Sequence, residues 1–154
     1  MNFLQLKSGY TVEGDEILTY KTEGKAANYV YLLAGVHGDE VEGVYVLNQL
    51  FEWLKEEEEI NHPSIVVPIL NIDGYRAATR TNAHGVDLNR NFAAKSWTDK
   101  GLKKKYYPGK SPMSEPENLH LDKLFQKHPP RIILTFHSWK PMLNYNGNCL
   151  EVAA

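Results

Sequence analysis

Apolar positions along the chain follow two rhythms. Asn28 to Val36 (NYVYLLAGV) is a nearly continuous apolar run rich in β-forming residues, the pattern of a strand covered on both faces. Ser64 to Leu70 (SIVVPIL) and Arg131 to Phe136 (RIILTF) repeat that pattern between polar or proline-containing segments, and Ile17 to Thr22 alternates weakly. From Asp39 to Glu59 the residues Val41, Val44, Tyr45, Leu47, Phe51 and Leu54 instead recur at roughly helical spacing. Acidic residues stand at the front of that segment, where a helix dipole favours them. Ser114-Glu115-Pro116-Glu117 has the spacing of a capping box, with Ser114 as N-cap and Glu117 reaching back, and predicts a helix to about Lys127. Strand, helix, strand in this order implies parallel pairing through a right-handed crossover. The expected fold is therefore α/β, a mixed, largely parallel twisted sheet with helices on both faces. Between the second apolar strand and the last helix, Asn71 to Pro112 is irregular and rich in Gly, Asn and Lys. A loop that long in a compact domain is usually functional or wrongly assigned.

Length and composition narrow this further. With 154 residues, 42% hydrophobic and 11% aromatic, the chain can bury one real core and is too short to argue for two, so residues 1–154 are read as a single domain. Lys and Arg total 17 against 19 Asp and Glu, which leaves no general field for nucleic acid or an anionic membrane. Anion affinity must be local. Cys149 has no internal disulfide partner, and the start lacks a basic region followed by an apolar core, so the chain reads as soluble and cytoplasmic.

In α/β sheets ligands gather at the carboxyl ends of the strands, which singles out the loops after Val36, Leu70 and Phe136. The first holds His37 and Glu40 where a buried strand turns into a helix. Alone, the pair reads more readily as a loop histidine and a helix-start carboxylate, because short His/Glu spacings are common by accident. The third loop adds His137 at the end of another apolar strand, and two strand-end imidazoles with one carboxylate form a donor set that suits zinc. The second loop carries Arg80, Asn89 and Arg90, and guanidinium groups bind carboxylates and oxyanions. An arginine pair in a long loop is also compatible with simple solvation. His62, His84, His120 and His128 are read as surface residues, Lys103-Lys104-Lys105-Tyr106-Tyr107 as a solvated loop, and Trp53 and Trp97 as packing residues.

His37-x-x-Glu40, the turn Asn71 to Gly74, Arg80, Asp87-Leu88-Asn89-Arg90-Asn91-Phe92, Tyr107-Pro108-Gly109 with Ser114-Glu115-Pro116-Glu117, and His137-Ser138 occur in an order that resembles the zinc carboxypeptidase family. The match runs from about Tyr29 to Trp139. Arg80-Thr81-Asn82-Ala83 followed by Gly85 to Phe92 looks most like the bacterial murein peptide amidase branch, whose members cleave the γ-D-glutamyl to diaminopimelate bond of cell-wall peptides. The resemblance implies one zinc ion on His37, Glu40 and His137. Asp87 would orient the first histidine through its other ring nitrogen. Arg80 would polarise the scissile carbonyl, and Asn89 and Arg90 would receive the carboxylate of a peptide substrate. Ligand types leave cobalt, nickel and manganese open beside zinc.

The family also places a general-base glutamate well after the third ligand, together with a tyrosine on a mobile loop. This chain ends seventeen residues beyond His137, so the segment carrying them is read as absent. Glu151 is the candidate base, although it arrives early, and Tyr145 the candidate tyrosine. A sheet lacking that segment would expose an edge able to pair with a second copy. Two further readings stand beside the peptidase. One is an aspartoacylase or succinylglutamate desuccinylase type of deacylase, and the other is a metal- and peptide-binding domain without turnover.

Overall fold

The computed structural model describes residues 2–57, 62–100, 103–138, 142 and 144. In chain order its elements are β1 (Phe3–Gln5), β2 (Gly9–Tyr10), β3 (Glu16–Ile17), β4 (Tyr20–Thr22), β5 (Tyr29–Leu33), α1 (Val41–Glu56), β6 (Ser64–Val67), α2 (Ile72–Ala77), α3 (Pro116–Lys127) and β7 (Pro130–Thr135). Single 3-10 turns lie at Leu88–Arg90 and Lys104–Tyr106. Five strands form one sheet in the order β1-β4-β6-β5-β7, and β2 and β3 form a small hairpin. The apolar runs of β5 and β6 became inner strands, as their lack of polar positions requires.

β5 pairs in parallel with β6 on one side and with β7 on the other, so the carboxyl ends of all three strands lie together. β4 runs antiparallel to β6, and β1 antiparallel to β4, which makes the sheet mixed. Successive side chains of a strand point to opposite faces, and the two cores follow from that. Tyr31, Leu33, Ile65 and Val67 pack with Leu121 and Leu124 of α3, whereas Leu32 and Val66 pack with Val44, Leu47, Phe51 and Leu54 of α1. Helices therefore cover both faces. Among the described residues β7 lies at the sheet edge, and its neighbouring residues Ile133 (42% exposed) and Leu134 (37%), which point to opposite faces, are both open.

Several expectations require correction. The irregular span contains α2, whose six residues are too few to show a helical period. Its start is fixed by Asn71, whose side chain accepts from the Gly74 amide at 2.9 Å. The capping box does not form, and α3 begins at Pro116 with Glu115 as N-cap and no side-chain cap. The amide of Ser114 already donates to Ser111 O at 3.3 Å and that of Glu115 to Asn91 Oδ1 at 3.2 Å, so Glu117 has nothing to reach back for. His120 is buried, with Nε2 3.0 Å from Thr19 Oγ1 and its ring filling the space that Gly9 leaves by having no side chain. Trp53 stands on the outward side of α1 and is exposed, because Leu47, Phe51 and Leu54 take the inner side. Trp97 is half-buried. The predicted helix end at Glu58 and Glu59 lies outside the described residues; α1 is described as far as Glu56.

Candidate metal centre

The three loops at the carboxyl ends of β5, β6 and β7 are held against one another by backbone contacts. Leu70 and Asn71 donate to Ala34 O and Gly35 O at 3.1 and 2.8 Å, which fastens the second loop to the first. Gly38 abuts the peptide between Gly74 and Tyr75 so closely that any side chain there would run into it. Gly43 on the first turns of α1 does the same for the third loop, since a Cβ would stand 2.8 Å from Phe136 O. That approach brings His137 beside Glu40.

His37 Nδ1 lies 2.9 Å from Glu40 Oε1, and His137 Nδ1 lies 2.7 Å from Glu40 Oε2. The two imidazole rings are 5.0 Å apart between centroids. One nitrogen from each histidine and one Glu40 oxygen all fall within 4.8 Å of one another. Behind this group Asp87 is fully buried, and its Oδ1 accepts from His37 Nε2 at 3.2 Å. Burial raises the carboxyl of Asp87, but the hydrogen bond and charge of His37, followed by Arg80, hold it below the usual carboxylate range. Burial likewise raises Glu40, and the flanking His37 and His137 outweigh it. Both carboxyls are thus ionised and can only accept.

His37 therefore faces a carboxylate at each ring nitrogen. Protonated, the ring donates to both; as a metal ligand it must be neutral, keeping its single N–H at Nε2 for Asp87 and turning the Nδ1 lone pair toward the space beside Glu40. A cation between Nδ1, Glu40 and His137 would take the place of the proton there, and imidazole nitrogen with carboxylate oxygen is a donor set zinc accepts readily. The residues present fit a divalent metal.

Asp87 also organises what surrounds the ligands. Its Oδ2 accepts from Arg80 Nε at 2.9 Å, and its Oδ1 from the Asn89 amide at 3.0 Å. Arg80 Nη1 reaches to 3.7 Å from Glu40 Oε1, so the guanidinium borders the group that could hold a metal. Asn89 and Arg90 follow on the 3-10 turn and are exposed. The seven described residues expected around the site, His37, Glu40, Arg80, Asp87, Asn89, Arg90 and His137, are brought to one place, whereas Glu151 and Tyr145 lie outside the described residues.

Residues 3–149 match the profile of the zinc carboxypeptidases. The chain belongs to the zinc carboxypeptidase family. Murein peptide amidase A of Escherichia coli strain K12 is 30% identical over 140 residues, which cover 84% of this chain and 57% of the relative. The chain thus spans little more than half that relative's length. The crystal structure of a murein-tripeptide amidase from Escherichia coli O157 has a TM-score of 0.72 at 26% identity, covering 87% of this chain and 60% of that one. An aspartoacylase family protein from Mesorhizobium loti shares the fold with a TM-score of 0.60 at 22% identity, covering 88% of this chain and 39% of its own. The fold alone does not separate a carboxypeptidase from a deacylase. Among the described residues of this family member no helix is long and apolar enough to cross a membrane.

Two features escaped the sequence reading. Tyr106, taken as part of a solvated loop, lies under the guanidinium of Arg80, with the ring centroid 5.2 Å away. Asn82 Nδ2 donates to Glu115 at 2.8 Å and to Glu117 at 3.2 Å, which ties the Arg80 loop to the start of α3. A Tyr within a lysine run and two carboxylates in a helix start carry no sequence signal for either contact. A second carboxylate group, Glu13, Asp15 and Asp73, is occupied internally: Asp73 accepts from Thr11 Oγ1 and the Glu13 amide, and Asp15 pairs with Arg76.

Proposed function

We propose that this chain carries the metal-binding part of a zinc-dependent amide hydrolase acting on a peptide with a free carboxylate, with a murein peptide as the preferred substrate. The observation that carries the reading is the convergence of His37 Nδ1, Glu40 and His137 Nδ1, with Asp87 engaging the opposite nitrogen of His37. The murein peptide amidase relatives support the choice of peptide.

When bound, zinc supplies Lewis acidity and lowers the pKa of water toward about 7. The protein's own part is positional. Asp87 fixes the ring of His37 and, through Nε, the plane of Arg80, so the terminal nitrogens of Arg80 remain for the oxygen of the scissile carbonyl. A donor of that kind contributes on the order of 3 kcal/mol in the transition state. Asn89 and Arg90, exposed one turn further on, would receive the substrate carboxylate and so select a chain end. The proton released by the attacking water needs an acceptor, for which Glu151 is the candidate.

The test is zinc-loaded protein incubated with the murein tripeptide, with N-acyl amino acids and with chelator as parallel arms. Release of diaminopimelate that stops with chelator supports the proposal. Cleavage of N-acyl amino acids alone would transfer the site to the deacylase reading, and tight zinc and tripeptide binding without turnover would make it a binding domain.

A further inference from the structure

We propose that Tyr106 is a positioning residue for the substrate-binding arginines, Arg80 at the scissile carbonyl and Arg90 at the carboxylate, an inference that rests on the function proposed above. Its ring is shared by two guanidiniums, with Arg80 at 5.2 Å and Arg90 at 5.9 Å from the centroid, and Lys105 Nζ at 4.9 Å completes a cationic ring around it. Each distance is within the range at which the negative face of an aromatic ring attracts a cation.

Three like charges brought this close repel one another, and something must gather them. A carboxylate could do so, but it would also neutralise the field that a substrate anion needs. A neutral aromatic face gathers cations without cancelling their charge. Arg90 depends on it most. Among the described residues its guanidinium otherwise donates to the neighbouring Asn89 carbonyl at 3.2 Å, and no carboxylate pairs with it there. Arg80, by contrast, is already oriented by Asp87, so the ring limits only its sideways movement.

Tyr106 is itself anchored to the centre it serves. The turn Lys104–Tyr106 is closed by the Tyr106 amide on Lys103 O at 2.8 Å and the Tyr107 amide on Lys104 O at 3.1 Å. Tyr107 O then accepts from the backbone amide of Asp87 at 2.8 Å. The backbone of Asp87 thus places the ring, and its side chain places Arg80 and His37. One residue sets the spacing between the metal ligands and the arginines, and Tyr106 transmits it to Arg90.

The experiment compares Tyr106→Phe and Tyr106→Ala in the full chain loaded with zinc, using calorimetric binding of the murein tripeptide and of its C-terminal amide. Tyr106→Ala is expected to weaken tripeptide binding about tenfold, the effect of losing two cation–π contacts. Tyr106→Phe keeps the aromatic face and restores wild-type affinity, while zinc affinity and binding of the amide stay unchanged in both. Wild-type tripeptide affinity in Tyr106→Ala, or an equal loss in Tyr106→Phe, overturns the inference. So does a matching fall in zinc affinity, because the residue would then act through the fold. If the wild-type protein fails to bind the tripeptide, the substrate reading falls, and the arginine side-chain NMR signals decide on Tyr106. Ring-shifted Arg80 and Arg90 resonances in wild type and Tyr106→Phe, lost in Tyr106→Ala, support it, and unshifted resonances in all three overturn it.

Discussion

Replacing Asp87 with Asn tests whether one buried carboxylate organises the whole centre. Asp87 accepts from His37 Nε2 at 3.2 Å and the Asn89 amide at 3.0 Å through Oδ1, and from Arg80 Nε at 2.9 Å through Oδ2. An amide offers one acceptor oxygen and one donor group, so it cannot serve both sides. Turned toward His37, it sets its NH2 against the N–H of Arg80; turned toward Arg80, it abandons His37 and Asn89. Either orientation leaves a buried donor unsatisfied, at about 1–3 kcal/mol. Losing the partner of a metal-ligating histidine typically costs 10–100-fold in metal affinity, equivalent to about 1.4–2.7 kcal/mol. The expected result is a fall of about tenfold in zinc affinity for Asp87→Asn, where one orientation still holds His37, and closer to a hundredfold for Asp87→Ala. Competition against a chromophoric chelator measures the affinity. Melting with and without zinc gives an independent check, because a weaker site yields a smaller rise in Tm at the same zinc concentration. Zinc affinity within twofold of wild type in a normally folded Asp87→Ala protein would falsify the role assigned to this carboxylate.

Other predictions concern the supporting structure. Gly43→Ala improves helix propensity by about 0.5–1 kcal/mol but sets a Cβ 2.8 Å from Phe136 O, an overpacking of about 1–3 kcal/mol. The net effect is expected to be a modest loss of stability with weaker zinc binding as His137 is pushed from Glu40; a gain in Tm with unchanged zinc affinity contradicts the close approach. Glu117 is fully buried, and burial raises its carboxyl above the ordinary value of 4.5. The folded state therefore holds that proton longer than the unfolded chain, so its contribution is full below about pH 4.5 and is lost as pH climbs through the raised value. Glu117→Gln should flatten the fall in Tm across that interval, and an unaltered pH profile refutes the assignment. The edge of β7, unpaired among the described residues and with Ile133 and Leu134 exposed, predicts concentration-dependent self-association that Ile133→Lys reduces. Identical sedimentation profiles for both proteins over a wide concentration range contradict it.

The parts of this molecule legible in its sequence are those whose signal is local. The apolar runs around Tyr31 and Val66 announced parallel strands because burial on both faces leaves no polar position; the run around Ile132 pairs in parallel too but, expected to be buried, is largely exposed at the edge, and the residues just beyond two of the runs, His37 and His137, had to reach the common carboxyl end. The features that stayed hidden are settled by partners distant in sequence. His120 looks like a solvated helix residue until Gly9 and Thr19 are set against it. Ser114 and Glu117 have the spacing of a cap, but Asn91, from another loop, takes Ser114 Oγ and the Glu115 amide. Tyr106 sits in a lysine run that reads as solvent-facing, but the next residue, Tyr107, accepts from the Asp87 amide and the Tyr106 ring lies against both arginines. The same asymmetry runs through the candidate site. Metal ligands are fixed by strand ends and so are readable, whereas the spacing of the charges that would select a substrate is fixed by cross-loop bonds through Asp87 and Asn91. On the function proposed above, substitutions in those loops outside Asp87, which also holds His37, would alter the substrate while the metal site stays intact, and specificity is to be sought in the 80–115 region rather than at the ligands.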